Sequence, residues 1–434
     1  MRSLKTTAGW VLVAACAHAQ PLRLTLQDAV NLALKQNPQV IVANLDVAQR
    51  DEDRRIARSS LLPQAGLEGS QRVNRSNVEA AFGQMIPGFP QHIGPFWVTT
   101  GGGGLSAPLF DLTLWHRYQA SKQGVEAVKA QRLTVREQAV LLVVSQYLGS
   151  QRAAADVQAA RSRVELAQAL YDQAADLQRA GVGTGIDTLR ANVQLQNEKQ
   201  RLIVARTQLD TALFGLSRLL NVDPRQTIEI ADEVSFFDTP EFGADRTLDR
   251  AWSGRPEVRE LQARREALQL ARQAAGESRL PALRFAGGWA YQGVSSSTLI
   301  PTYQYVFSLD VPVFTGGRIA AEQARADLDI RKLEQQETDL RNRIALEVKT
   351  SLRQLEAARS EVDVASLGVK LAREEVEQAG DRFRAGVANN IEVITAQDEL
   401  ARANDNQIGA LYRYNQARAD LAHASGQMEL MYTH

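Results

Sequence analysis

The sequence predicts a mostly α-helical protein with a small β part: long coiled-coil helical hairpins and four strands of membrane-spanning length, laid out twice as an internal repeat. Three observations carry this. Landmarks in the first half recur in the second at a nearly constant offset. Two proline-free stretches, 109–223 and 313–434, hold a seven-residue beat of large and small apolar residues. Between the helical stretches lie segments in which apolar and polar residues alternate.

The 434 residues include 50 basic and 50 acidic side chains. That balance argues against a nucleic-acid partner, which needs a basic footprint. No window approaches the roughly 20 apolar residues of a spanning helix. A β-barrel is the other way for a chain to cross a bilayer.

Residues 1–19 read as a signal peptide. Arg2 and Lys5 form its basic start, Ala8 to Ala17 its apolar run, and Ala17-His18-Ala19 a small-residue cleavage site. The one cysteine, Cys16, lies inside it. Val13-Ala14-Ala15-Cys16 is also similar to a lipobox, whose cysteine would be acylated, although such a box usually starts with leucine. Cleavage after Ala19 is the preferred reading, and it leaves no thiol for a disulfide or for catalysis.

The repeat divides the rest. Asn37-Pro38 matches Arg255-Pro256, and Leu61-Leu62-Pro63 matches Arg279-Leu280-Pro281, both 218 residues on. Ser106 to Phe110 matches Asp310 to Phe314 at 204, and Ala180-Gly181-Val182 matches Ala385-Gly386-Val387 at 205. The shrinking offset gives the first copy a longer excursion between residues 63 and 108. We expect a first repeat over 20–221 with its strand pair in 63–110, a linking segment 222–247, and a second repeat over 248–434 with its strand pair in 281–314. Pro63, Pro108, Pro281 and Pro312 mark the changes of period, as suits a residue without an N–H that biases its predecessor toward extended geometry.

In the second long helix Val348, Leu355, Val362, Val369, Val376 and Phe383 recur every seven residues, and Ser351, Ala358, Ala365, Ala372 and Ala379 follow the first five by three. The first copy has Val143, Val157, Val164 and Tyr171 with Ala153, Ala160, Ala167 and Ala174. A sustained period of 3.5 supercoils helices to the left, and alanine lets their axes approach. A helix from about 318 to 382 would be roughly 95 Å long. Heptads alone equally fit an ordinary coiled coil.

The strands make the difference. Leu283, Phe285, Gly287, Trp289 and Tyr291 share one face of a segment, and Tyr303, Tyr305, Phe307, Leu309, Val311 and Val313 one face of the next, with a polar loop, Gln292 to Thr302, between. Trp289, Tyr291, Tyr303 and Tyr305 lie where an aromatic girdle would sit. In the first copy Phe96 to Thr100 leads into Gly101-Gly102-Gly103-Gly104 and then Leu105 to Phe110. The glycines lack the Gly-Lys-Ser/Thr of a phosphate loop. A close partner or a bend explains them better. A soluble β-sandwich is the alternative for these strands. A barrel requires an oligomer that pools strands, because open edges are not tolerated in lipid.

Arg382-Phe383-Arg384-Ala385-Gly386-Val387-Ala388-Asn389-Asn390-Ile391-Glu392-Val393-Ile394-Thr395-Ala396-Gln397, its first-copy counterpart Gln178 to Leu189, and the opening helix from Thr25 to Asn37-Pro38 resemble the outer-membrane efflux protein (TolC) family over nearly the whole mature chain. The resemblance implies a homotrimer whose subunits each give four strands to a twelve-stranded barrel in outer-membrane lipid, above a periplasmic α-barrel of long helices. It implies a periplasmic adaptor (membrane fusion) protein docked at the helix tips, Ala180, Gly181 and Val182 with Ala385, Gly386 and Val387, and beyond it an inner-membrane pump. Function would then be the exit duct of a tripartite efflux or type I secretion system, passing small molecules or proteins. Asp187 and Glu392 match acidic positions of the family's pore constriction. Thr395 stands where a second acid is usual, and Phe383 where a tyrosine is, and phenylalanine donates no hydrogen bond. Capping remains open for both acids, since Thr184 with Asp187 and Asn389 with Glu392 have capping-box spacing.

Five scattered histidines, at 18, 92, 116, 423 and 434, show no ligand spacing, so no metal or cofactor is expected. No nucleophile elbow is present, and no enzyme is expected. Charged runs such as Arg264-Arg265-Glu266 and Arg373-Glu374-Glu375 read as solvated helix faces. The competing reading is a soluble periplasmic adaptor with one coiled-coil hairpin, which predicts no duplication along the chain.

Overall fold

The computed structural model describes residues 22–85, 87–232, 244–385, 387 and 390–433. The leader, with Cys16 and Ala19, lies outside them, as does Gly386. In chain order the elements are β1 (Leu22–Leu24), α1 (Leu26–Gln36), α2 (Pro38–Ser59), β2 (Gln64–Asn77), α3 (Val78–Phe82), β3 (His92–Phe110), α4 (Leu112–Arg179), α5 (Gly185–Leu220), β4 (Ile228–Ile230), α6 (Ala244–Gly254), α7 (Pro256–Glu277), β5 (Ala282–Gly293), β6 (Ile300–Asp310), α8 (Arg318–Arg384), α9 (Asn390–Ala424) and α10 (Met428–Thr433). Helix, strand, strand, very long helix, helix thus occurs twice, as α2-β2-β3-α4-α5 and α7-β5-β6-α8-α9. The chain forms two compact units, one of Met1–Ile41, Val135–Ala251 and Ile344–His434, the other of Val42–Thr134 and Trp252–Arg343.

The first unit is helical. Its centre packs Leu24, Val30, Val140, Val143, Val144, Tyr147, Leu216, Leu220, Ile228 and Met428. Segments from the start, middle and end of the sequence therefore share one apolar core, beside a short parallel pairing of β1 with β4. Asn37 seals this region. Its amide donates to Leu219 O at 2.8 Å, and its Oδ1 accepts from Gln39 N at 2.9 Å. Proline at the first position of α2 loses no helical hydrogen bond. The counterpart Arg255 makes no side-chain cap and pairs with Glu257 at 2.6 Å.

Tyr147 anchors the core chemically. Its buried hydroxyl lies 3.0 Å from Leu24 O and 2.9 Å from Asp232 Oδ2, and that carboxylate also accepts from Leu26 N at 2.7 Å. Burial, reinforced by the Asp232 carboxylate, holds the phenol well above its usual pKa. Tyr147→Phe should destabilise the helical unit by about 1–3 kcal/mol, because the hydrogen bond from the phenol to the Asp232 carboxylate is lost. An unchanged midpoint for loss of the helical circular-dichroism signal would refute that.

Away from this core the heptads form the hairpin seams. In α4 with α5, Val157 and Ala160 meet Ala205, flanked by Leu202 and Leu209. In α8 with α9, Leu355, Ala358 and Val362 meet Ala410, Tyr414, Ala417 and Leu421. Val348, Val369, Ala372 and Ala379 are buried too, as are Val143, Ala153, Ala167 and Ala174.

The second unit carries one antiparallel sheet in the order β2-β3-β5-β6. Its first strand, β2, is the weakest in sequence signal and is 14 residues long. Two boundaries differ from expectation. Strand β6 ends at Asp310, so Val311 to Phe314 leave the sheet at Pro312, which has no N–H to give a ladder. The matching residues Ser106 to Phe110 stay in β3 by means of a bulge between Pro108 and Phe110. The β5–β6 loop is also shorter, confined to residues 294–299 around one 3₁₀ turn, Ser296–Thr298.

Candidate functional site

Register decides which side chains share a face of the sheet. Leu67 pairs with Gly103, Gly103 with Trp289, and Trp289 with Tyr303. One row down, Ala65, Leu105, Gly287 and Tyr305 align, and below them Ala107, Phe285 and Phe307. Directly opposed residues point the same way. This face therefore presents Leu67, Val73, Trp97, Leu105, Phe285, Trp289, Tyr291, Tyr303, Tyr305, Phe307 and Leu309. Leu67 is 94% exposed and Phe307 69%. The opposite face carries Glu68, Ser70, Arg72, Thr100, Arg284, Gln304, Ser308 and Asp310, with Phe96, Val98 and Val306 and several small residues. Within the chain, among the described residues, the apolar face has no cover, and the outer edges of β2 and β6 have no partner.

The glycines of β3 sit mid-sheet, paired on both sides, and form no loop. A Cβ on Gly102 would lie 2.4 Å from both Trp289 O and Ala290 Cα, so the close approach of β5 admits no side chain there. On β5, Gly287 leaves room for the rings of Phe285 and Tyr305, which stack at 6.3 Å between centroids.

The second candidate region is the pair of hairpin tips. At the first, α4 ends in a Schellman-type turn: Val182 N and Gly183 N both donate to Leu177 O, at 3.0 and 2.9 Å. Gly181 adopts φ +75°, which an L side chain rarely takes. The second tip repeats the bond as Val387 N to Arg382 O at 3.0 Å. Val182 and Val387 project at 78% and 68% exposure, an uncommon setting for valine. Near the tips Leu170 of α4 and Val376 of α8 pack against Ala379, Val393 and Ala396.

At the first tip the acid does not complete a reciprocal cap. Asp187 Oδ2 accepts from the Thr184 hydroxyl at 2.5 Å, and Thr184 makes no side-chain bond to the helix N–H groups. The reciprocal box expected from the spacing is therefore absent at this helix. Glu392 Oε1 accepts from Arg382 Nε at 2.8 Å. Asn389, its expected capping partner, lies outside the described residues, as do the side chain of Phe383 and the whole of Gly386. Thr395 turns its hydroxyl back to Ile391 O at 2.9 Å.

Sequence reading missed two charged groupings. Glu198 is buried in the α4–α5 seam, with Arg201 at 2.6 Å and Arg163 Nε at 3.9 Å, and Arg163 reaches Asp405 of α9 at 3.0 Å. Arg163, Arg201 and Asp405 border an open cleft of about 880 Å³ together with Asp156, whose carboxyl is pushed up by burial. Nothing in the one-dimensional pattern separates Glu198 from its solvated neighbours. Arg265, expected on a solvated face, instead pairs with Glu337 of α8. Among the described residues no group of three or more acidic, histidine or cysteine side chains could hold a metal ion, and no helix is long and apolar enough to cross a membrane.

A four-stranded sheet with one exposed apolar face, in a chain whose long helices pair as coiled-coil hairpins, fits the class of outer-membrane channels that have a helical part. The family model described as outer membrane efflux protein matches residues 29–222 and 247–427. The chain belongs to the outer membrane efflux protein family and to the outer membrane, as an efflux channel. It is 26% identical to the alkaline protease secretion protein AprF of Pseudomonas aeruginosa, over 94% of this chain and 85% of that one. With the outer membrane protein TolC of Vibrio cholerae it shares 21% identity over 93% and 91%. Its fold is similar to the Campylobacter jejuni CmeC outer membrane channel, with TM-score 0.79 and 19% identity, covering 93% of this chain and 85% of that one. The match runs through both halves, which a single-hairpin adaptor does not predict.

Proposed function

We propose that three copies of this chain form the exit duct of a tripartite efflux or type I secretion assembly. The observation that carries this is the four-stranded sheet with one bare apolar face and two open edges. An apolar face of that size calls for lipid, and open edges in lipid call for neighbouring strands. Three copies supply twelve strands and remove every edge. Exposed apolar residues on the helices outside the intrachain seams, Val364, Leu367 and Leu371 on α8 and Ile203 and Phe214 on α5, give neighbouring subunits a surface to pack on.

In this reading residues 1–19 are removed, 20–221 and 248–434 act as two quasi-equivalent repeats, and 222–247 links them. Asp187, Glu392, Thr395 and Phe383 line the constriction. The tips Ala180-Gly181-Val182 and Ala385-Gly386-Val387 meet a periplasmic adaptor, which couples the duct to an inner-membrane pump. The duct itself performs no catalysis. Its cargo is small molecules or proteins; the similarity to a protease secretion protein supports the second class, and the family description supports the first.

The test combines assembly with docking. Detergent extraction should yield a trimer that dissociates on heating. Val182→Asp with Val387→Asp should leave that trimer intact and cut adaptor affinity about 30-fold or more, the scale of an interface hot spot. A monomer soluble in plain buffer would overturn the duct. An intact trimer that still binds adaptor would overturn the docking assignment.

A further inference from the structure

The hairpins repeat at an offset of 205 residues, so every tip residue has a counterpart half a chain away. Glu392 corresponds to Asp187, and each opens the helix after its turn. Their electrostatic surroundings differ. Glu392 is held by the Arg382 guanidinium at 2.8 Å, across the turn from the last coils of α8. The residue that corresponds to Arg382 is Leu177, which offers only its carbonyl to the turn. Asp187 meets the neutral hydroxyl of Thr184. Two arginines stand near the first tip. Arg179 is engaged with Asp176, and Arg190, one helical turn beyond Asp187, forms no ion pair with it among the described residues.

We propose that Arg382 is a selectivity-determining residue that silences the Glu392 carboxylate, leaving Asp187 to supply the fixed negative charge that passing ions feel at the tips. The inference rests on the duct reading and deepens it. Both members of the Arg382–Glu392 pair are about half exposed, so their contact adds little stability. Charge compensation does not depend on that. A guanidinium 2.8 Å from a carboxylate leaves the pair with no net charge, whatever the pair contributes to folding. Threefold symmetry multiplies the consequence. Two carboxylates per subunit would make two negative rings, which favour cations and oppose anions. With Arg382 in place only one ring acts.

The full-length trimer in planar bilayers of neutral phosphatidylcholine, under a KCl gradient at low ionic strength, gives the ratio of potassium to chloride permeability from the reversal potential. Low salt keeps the Debye length above about 10 Å, so the charges are not screened away. R382Q should raise the ratio by about twofold or more as the second ring becomes active. D187N should lower it. E392Q should lower it too, because Arg382 is then uncompensated. The double variant R382Q/E392Q removes both charges and should return the wild-type ratio. R382K, which keeps the charge without the planar fork, should also match wild type. A merely structural staple would give the opposite pattern: the double variant and R382K would depart from wild type along with R382Q. That result, or an R382Q ratio equal to wild type, overturns the inference while the duct stands. No conductance from the wild-type trimer overturns the duct and this inference together.

Discussion

Phe307→Arg is expected to abolish assembly in the outer membrane, while Ser308→Arg, one residue along the same strand, is expected to be tolerated. The two side chains point to opposite faces of β6. Phe307 pairs with Phe285 and lies in the apolar face, with their rings 5.0 Å apart. Ser308 pairs with Arg284 in the polar face. An arginine on the lipid side of a membrane barrel costs about 2–4 kcal/mol near the bilayer midplane, and falls toward zero near the interfaces. Phe307 sits inward of the Tyr303–Tyr305 pair, where a lipid-facing position should be deep. In the proposed trimer each subunit would bear the cost, so a shared barrel would lose several times the single-site value. Membrane fractionation and heat-sensitive mobility of the trimer read the outcome. Equal tolerance at both positions would mean that this face is not in lipid, and the argument for a strand-pooling oligomer would go with it.

The long helices were legible because their signal is redundant. Each seam position is confirmed by neighbours seven residues away, and no proline interrupts 109–223 or 313–434. The second strand pair was legible for the same reason, since Phe285, Trp289, Tyr303, Tyr305 and Phe307 repeat a period of two. Strand β2 was barely visible. Only Leu67 and Val73 mark its apolar face, and the sheet holds it through the ladder to β3. Tertiary pairing thus overrides a poor local pattern. The end of β6 was overread because Val311 and Val313 continue the alternation past Pro312, which cannot continue the ladder. At the tips the glycine turns were readable from residue type. The partners of the acids were not: at the first tip the spacing offered a capping box where Asp187 takes the Thr184 hydroxyl, and the arginine that reaches Glu392 comes from the other side of the turn. Glu198 was invisible, because its burial depends on how α4 and α5 lie against each other.

The seam of the second hairpin should depend on Tyr414 far more than on its neighbour Arg413. Tyr414 has no exposed surface and fills the space left by Ala358, Ala410 and Ala417 between Leu355, Val362 and Leu421. Ala358 on the facing helix and Ala410 and Ala417 beside it on α9 leave room for one large ring, so truncation opens a cavity that alanine neighbours cannot close. Tyr414→Ala should destabilise the helical unit by about 3–5 kcal/mol, the usual range for deleting a buried aromatic ring. Arg413 reaches outward to Glu361 at 2.6 Å, and both partners are about half exposed. Arg413→Ala should therefore cost no more than about 1 kcal/mol. The comparison needs only the urea midpoint of the helical circular-dichroism signal for the two variants in the same detergent. A small shift for Tyr414→Ala would mean that contacts between subunits, not the α8–α9 seam, hold the hairpin together. The alanine heptad would then serve close packing around the duct and not the stability of each hairpin on its own.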